Sequence, residues 1–399
     1  MQTGRARALQ FIFFASYGTT VPFLGLYYYR VLVDSSGAPN YGAIGTVLSL
    51  SLLVGILSPL VAGYLADRFR IHNRLITILS VLVVVSAIAL YLPGTKGMDD
   101  TDLVFRFLLI FIGAMANGLF VRPIIPLVDT ETLIALRARD GVIDRYGEIR
   151  VFGSIGWVIT ASISGFVIMA AGSMSVMLLL YAGGFALMAI LGWSGFRSEI
   201  QPVRIPWRHF REDTVYQRFL IFSFILSLGM TGGYVYTGVY MADLDLSIVV
   251  IGLSYAFAAL PEIPVLFRGR SILARFGSRG MIIAGTLLQS VKFALLFAIA
   301  GTRMPVLFVA VMLLQGAGYS LQFAGFVDFM DRRAHEHLRA TYQSLYHIVF
   351  ALGGAAGNFA ASVVSRVSSS RVLMAASAAS IAVSLLYFIL FVRKERERR

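Results

Sequence analysis

About a dozen apolar runs, each long enough to cross a bilayer, fill almost the whole of this chain. A bilayer core takes roughly 20 apolar residues per helix, and no soluble core needs so many stretches of that length in series. The runs fall at about 8–31, 42–66, 75–93, 103–127, 150–171, 174–196, 218–241, 247–273, 280–300, 304–328, 343–365 and 371–392. Only 14% of the 399 residues are charged, against about 25% in a soluble domain. The chain is therefore read as an all-α membrane protein with twelve transmembrane helices.

The formal net charge of +13 invites a nucleic-acid reading until its placement is considered. Roughly 26 of the Lys and Arg residues lie between runs on one side, and about five on the other, which by the positive-inside rule puts both termini in the cytoplasm. The basic excess is then topology, with anionic lipid as its partner and no nucleic acid. A multi-pass protein of the inner (cell) membrane is the expected location. The chain has no cysteine, which removes disulfides, a thiolate nucleophile and Cys-based metal sites. The first run follows Arg5 and Arg7 as in a signal peptide, but it is too long for such a segment and has no clear small-residue cleavage site, so it is expected to stay as a helix. The gaps between runs are short and leave no room for a sizeable soluble domain, so no enzyme is expected.

The longest charged linker carries Pro202 and Pro206 and lies close to the midpoint. It divides the chain into a six-helix bundle over 1–196, a cytoplasmic linker over 197–217, a second six-helix bundle over 218–392 and a basic tail over 393–399. An internal echo points to duplication. Gly63-Tyr64-Leu65-Ala66-Asp67-Arg68-Phe69 follows the second run, and Ile272-Leu273-Ala274-Arg275-Phe276-Gly277 holds the matching place in the second half. Parallel halves of this kind hold a solute at the membrane midplane between them.

An ionisable residue at helix centre costs about 2.5–3.5 kcal/mol on insertion scales, so each is a functional hypothesis. Glu262 leads, held between Pro261 and Pro264. Neither proline has an N–H, so the carbonyls of Phe257 and Leu260 are expected to lose their helical donors. Such backbone is tolerated at depth only inside protein or beside water. A carboxyl there can be neutral in one state and ionised in another, as a proton carrier must be; a structural ion pair with Lys292 or Arg268 is the plainer alternative.

Asp129 ends the fourth run and Arg150 opens the fifth, so an antiparallel pair brings them to similar depth. Arg150, Ser154 and Trp157 share one helical face. A guanidinium fork, a hydroxyl and an indole suit a hydroxylated ring; the alternative is an interfacial anchor beside a packed Trp. Gln315, Tyr319 and Gln322 form a polar stripe expected to line a cavity. Gln289 and Lys292 share a face, and His347 lies four residues after Gln343. His335-Glu336-His337 looks like a metal cluster but sits in a short basic loop and is read as solvated. Arg122 stands just before Pro123, as a cavity cation or a partner for Asp129. Tyr17 and Tyr236 are the aromatic residues assigned to the cavity wall. The small-residue run at Gly353–Gly357, with Gly153 and Gly156, reads as close helix contact.

The sequence Gly63-Tyr-Leu-Ala-Asp67-Arg68, followed by Arg70 and Arg74, resembles the signature loop of the major facilitator superfamily, although Arg70 stands where a Gly is usual. That resemblance implies a cytoplasmic latch made by Asp67, Arg68 and Arg74, closed in the outward-facing state. Tyr146-Gly-Glu-Ile-Arg150-Val-Phe-Gly153-Ser-Ile-Gly156-Trp157 is similar to the start of helix 5 in the lactose permease and nucleoside-proton symporter group. There the residue matching Arg150 binds sugar hydroxyls, the one matching Trp157 stacks on the ring in the permease branch, and the acid matching Asp129 partners the arginine. Glu262 matches a helix 8 glutamate of the same group, and Leu260-Pro-Glu262-Ile-Pro264 also looks like the bacterial sugar efflux transporters. The helix 10 acids of the group are replaced by Gln315 and Tyr319, which leaves Glu262 to carry most of the coupling.

The expectation is a secondary transporter working by alternating access, with proton-coupled symport of a small hydroxylated solute, a sugar or a nucleoside. Glu262 and Asp129 handle the proton; Arg150, Trp157, Tyr17, Tyr236, Gln315, Tyr319, Gln322, Lys292 and His347 form the solute site. The proton is the coupling ion, with no other cofactor, and the unit is a monomer. The rivals are a proton-antiport exporter of sugars or drugs, and a non-transporting sensor or scramblase.

Overall fold

The computed structural model describes residues 2–69, 71–95, 102–140, 146–193, 213–302, 304–334 and 339–392. They are almost entirely helical. The helices are α1 (Gln2–Val31), α2 (Tyr41–Val54), α3 (Ser58–Phe69), α4 (His72–Tyr91), α5 (Leu103–Val121), α6 (Ile124–Asp140) and α7 (Tyr146–Ala171). There follow α8 (Val176–Gly192), α9 (Thr214–Asp243), α10 (Ile248–Ala259), α11 (Glu262–Ile299), α12 (Pro305–Arg333), α13 (Arg339–Val367) and α14 (Ser370–Phe391). Among the described residues eleven stretches are long and apolar enough to span a membrane, and α8 is a further apolar helix of 17 residues. The linker from 197 to 212 and the tail from 393 to 399 lie outside the described residues.

Proline breaks three of the expected runs. The 42–66 run becomes α2 and α3, because Pro59 cannot donate to the carbonyl of Gly55; the Ser58 hydroxyl donates to that carbonyl instead, at 3.0 Å. The 103–127 run divides at Pro123 into α5 and α6. The 247–273 run divides at Pro261, and here one expectation is corrected. The carbonyls of Phe257 and Leu260 are not left without donors: Leu260 and Ile263 donate to them at 3.2 and 3.3 Å, three-residue bonds that tighten the turn. Past the break α11 continues to Gly277, whose φ of 65° and ψ of 168° suit glycine alone. It then turns and runs on to Ile299.

Helix α1 packs on α7 and α8, and α4 on α5 and α8; in the second half α9 packs on α13 and α14, and α11 on α12 and α14. The two sets meet through α1 with α9, α2 with α13, and α7 with α10. These seams use glycine to bring backbones together: Gly25 lies against the carbonyl of Val235, and Gly252 against that of Ala161. Ser49 Oγ donates to the Ala355 carbonyl at 2.8 Å across the α2–α13 seam. All of these contacts lie at the ends of the helices remote from Arg5.

At the opposite end each set is tied within itself. Arg5 donates to Glu131 Oε2 and Asn73 Oδ1 at 3.1 Å and to the carbonyls of Leu191 and Gly192, joining α1 to α4, α6 and the end of α8. Arg333 pairs with Asp213 at 2.7 Å, and the Tyr342 hydroxyl donates to the same carboxylate at 3.1 Å. Among the described residues, the seams thus join the two sets at one end, and the clasps named at the other end each stay within one set.

Candidate functional site

A chamber of about 280 Å³ lies between the two sets, near the lower end of small-molecule pockets, about 300 Å³. Phe14 from α1 and Arg150, Ser154 and Trp157 from α7 form one wall. The other wall is Met230, Thr231 and Tyr234 from α9, Tyr255, Ala258 and Ala259 from α10, Glu262 at the start of α11, and Gln315 and Tyr319 from α12. Six helices thus converge on one space.

The helical repeat of α7 sets the first wall: positions 150, 154 and 157 follow the i, i+4, i+7 face. The Arg150 guanidinium carbon sits 3.8 Å from the centroid of the Phe14 ring, a cation–π contact. Its Nη1 is buried with no hydrogen-bond partner, and so is Ser154 Oγ. The indole N–H of Trp157 donates to the Tyr255 carbonyl at 3.2 Å, so the ring is held across the seam and offers its face. Tyr255 donates to the Tyr234 carbonyl at 2.7 Å, and the two rings meet edge to face at 5.1 Å.

Glu262 opens α11 immediately after Pro261, where the unsatisfied N–H groups of a helix start favour an acid. Arg150 acts on it electrostatically across the chamber, and among the described residues no ion pair joins the two. On α12 Gln315 and Tyr319 face the chamber, and Tyr319 stacks on Phe323, 6.0 Å away and one turn nearer the clasp end.

The structure brings together Arg150, Trp157, Glu262, Gln315 and Tyr319 of the residues expected at the site. The others lie elsewhere. Lys292 is fully buried behind the wall; its Nζ donates to Gln315 Oε1 at 2.6 Å and lies 3.4 Å from the Phe293 ring centroid. Its partner is thus an amide and a ring rather than Glu262. Gln322, the third residue of the α12 stripe, is buried and donates to Thr286 Oγ1 at 2.9 Å, because position i+7 has rotated into the α11 interface. Asp129 accepts from Gln10 at 2.8 Å, and among the described residues no ion pair joins it to Arg150. Tyr17 stacks on Phe13 at 4.8 Å and feels the charge of Arg122. Tyr236 is 1% exposed, inside the α9 core, and His347 lies beside Tyr346 on α13.

Of the latch residues, Arg68 donates to the Tyr64 hydroxyl and Arg74 is exposed. The Asp67 side chain, Arg70 and the His335–His337 stretch lie outside what is described.

Phe14, Thr231 and Tyr255 are wall residues that the sequence reading missed. Tyr255 had a signal: it precedes Glu262 by seven residues, with the small Ala259 between, on one face. Phe14 had none, since Phe11, Phe13 and Phe14 are equivalent in an apolar run.

A protein-family model, the MFS_1 like family, matches residues 5–376. The chain is 24% identical to the maltose permease of Geobacillus stearothermophilus over 348 residues, covering 85% of this chain and 81% of that protein. It is likewise 24% identical to a probable 3-phenylpropionic acid transporter of Escherichia coli (strain K12), over 89% of this chain and 88% of that one. The crystal structure of a mutant form of the nucleoside transporter NupG superposes with a TM-score of 0.80 at 16% identity, covering 98% of this chain and all of the other.

Proposed function

The chain belongs to the MFS_1 like family, a family of membrane transporters, and from that premise we propose that it is a secondary transporter driving proton-coupled symport of a small hydroxylated solute, a sugar or a nucleoside. The relatives include a maltose permease, and a nucleoside transporter shares the fold. The observation that carries the reading is the convergence of Arg150, Trp157 and Glu262, from two sets of helices, on one chamber.

In this reading twelve spans form two six-helix bundles and both termini face the cytoplasm, because the basic segments lie there. The protein works as a monomer in the inner membrane. The clasp end is then the cytoplasmic end, and the conformation is inward-facing. The Arg150 fork and the Trp157 face hold the solute. Glu262, the acid of the chamber, takes the proton on one side and gives it up on the other. Alternating access follows if the α1–α9, α2–α13 and α7–α10 seams part while the clasp end closes.

The test is accumulation in proteoliposomes with uridine and maltose as probes. Glu262→Gln should abolish accumulation driven by a pH gradient while leaving exchange intact. Accumulation that survives the substitution makes Glu262 structural. Uptake is the direction assigned here; accumulation confined to inside-out vesicles reverses it.

A further inference from the structure

The chamber is lined by one cation, Arg150, and one acid, Glu262, and on the Arg150 wall hydrogen-bonding capacity is left vacant. Arg150 Nη1 and Ser154 Oγ are buried, adjacent on one helical face and without partners. A buried N–H or hydroxyl without a partner is costly, so these two atoms favour an acceptor that enters the chamber.

The far wall has the same polarity for a different reason. Lys292 donates to Gln315 Oε1, and an ammonium has donors and no acceptor. The amide oxygen of Gln315 must therefore face Lys292, which turns its NH₂ toward the chamber. The Trp157 N–H is already committed to the Tyr255 carbonyl, and so leaves only its apolar face.

We propose that the transported solute is a monoanion: a ring-bearing carboxylic acid whose carboxylate is held by Arg150 and Ser154, with its ring beside Trp157 and its acceptor groups toward Gln315. This rests on the transporter reading and changes its solute class, from a neutral hydroxylated solute to a ring-bearing one that carries a negative charge. Carboxylate geometry matches the guanidinium fork, whereas a neutral hydroxyl leaves the charge uncompensated.

The same arrangement explains how a proton and an anion become coupled. The groups facing Glu262 are Arg150 from α7 and the phenols of Tyr234 on α9 and Tyr319 on α12. Tyr255 on α10 lines the same space, and Lys292, farther along α11, stands behind Gln315. The phenols are uncharged at neutral pH, so Arg150 is the cation that the ionised Glu262 faces. An ionised Glu262 competes with the solute carboxylate for that guanidinium. Protonation of Glu262 frees Arg150, so the proton loads first and the anion second. One proton and one monoanion then cross together with no net charge.

The experiment uses matched acid and amide probes on the purified full chain: 3-phenylpropionate against 3-phenylpropionamide, and glucuronate against glucuronamide, with binding read by thermal shift and titration. At least one carboxylate should bind about tenfold more tightly than its amide, the scale of a charge-assisted hydrogen bond. Arg150→Met should erase that preference. Arg150→Lys, which keeps the charge and loses the fork, should weaken it without erasing it, and serves if the Met variant does not fold. Glu262→Gln should bind the acid with little dependence on pH. Equal binding of acid and amide, or no binding of either carboxylate, overturns the proposal. Accumulation of uridine or maltose alongside that result leaves the transporter reading standing. A carboxylate that binds with the stated preference but never crosses the liposome membrane keeps the anion site and removes the transport reading.

Discussion

Glu262 and Lys292 lie on the two helical segments of α11, either side of the Gly277 turn, and both are ionisable groups inside a membrane-spanning protein, yet they occupy opposite kinds of environment. Glu262 starts the helix beside a proline break and faces the chamber. Lys292 lies beyond the Gly277 turn, fully buried between α11 and α12, with an amide and an aromatic ring for company. A carboxyl that reaches a chamber can exchange a proton with whatever enters it. An ammonium sealed in packed side chains can only hold its neighbour in place. Burial cost alone marks both as exceptional; access decides which of them can take part in a transport cycle.

The strongest way to break this comparison is to neutralise each group in turn. Glu262→Gln should reduce proton-driven accumulation in proteoliposomes to the level seen without a gradient, with little change in melting temperature. If Lys292→Met does the same, the sealed group belongs to the cycle and the distinction fails. Next in size is Gln315→Leu. It strips Lys292 of its acceptor and leaves a buried charge uncompensated, so thermal unfolding should show a loss of about 3 kcal/mol or more. Lys292→Met should cost less, about 1–3 kcal/mol, because it removes the charge itself and leaves only an unsatisfied amide oxygen; an equal or larger loss contradicts the ranking.

The smallest expected effect concerns the seam that closes over the chamber. Gly252→Leu pushes a side chain onto the Ala161 carbonyl and the Phe23 ring, an overpacking of about 1–3 kcal/mol that should favour the state in which the seam is parted. With no native cysteine in the chain, Ser49→Cys supplies a single thiol, buried across the α2–α13 seam. Its labelling rate should rise in the Gly252→Leu background. An unchanged rate means that the seam is not what closes this end.

Much of the site was legible because it is local. Arg150, Ser154 and Trp157 share a face by helical spacing, and Gln315 and Tyr319 do the same on α12. The stripe failed at Gln322, one turn too far, where the α11–α12 interface and not the membrane supplies the partner. Lys292 is expected at the site as an ionisable group sharing a face with Gln289, and Tyr236 as an aromatic residue of the cavity wall. Both are instead buried among protein side chains, Lys292 with Gln315 as its acceptor, an outcome that spacing cannot distinguish from facing the cavity. Pro59, Pro123 and Pro261 mark breaks that hydropathy runs straight through, since hydropathy sums side chains and is blind to missing backbone donors.

By itself the sequence determined that the chain is helical, spans a membrane many times and carries a few costly polar groups at depth, because transfer from water to hydrocarbon adds up residue by residue along the chain. Only the tertiary structure decided which of those groups meet. The rotation of each helix about its axis, and the neighbour it presents to, depend on contacts between residues hundreds of positions apart. That is why Glu262 faces Arg150 across a chamber while Lys292, on the next helical segment, is closed away from it.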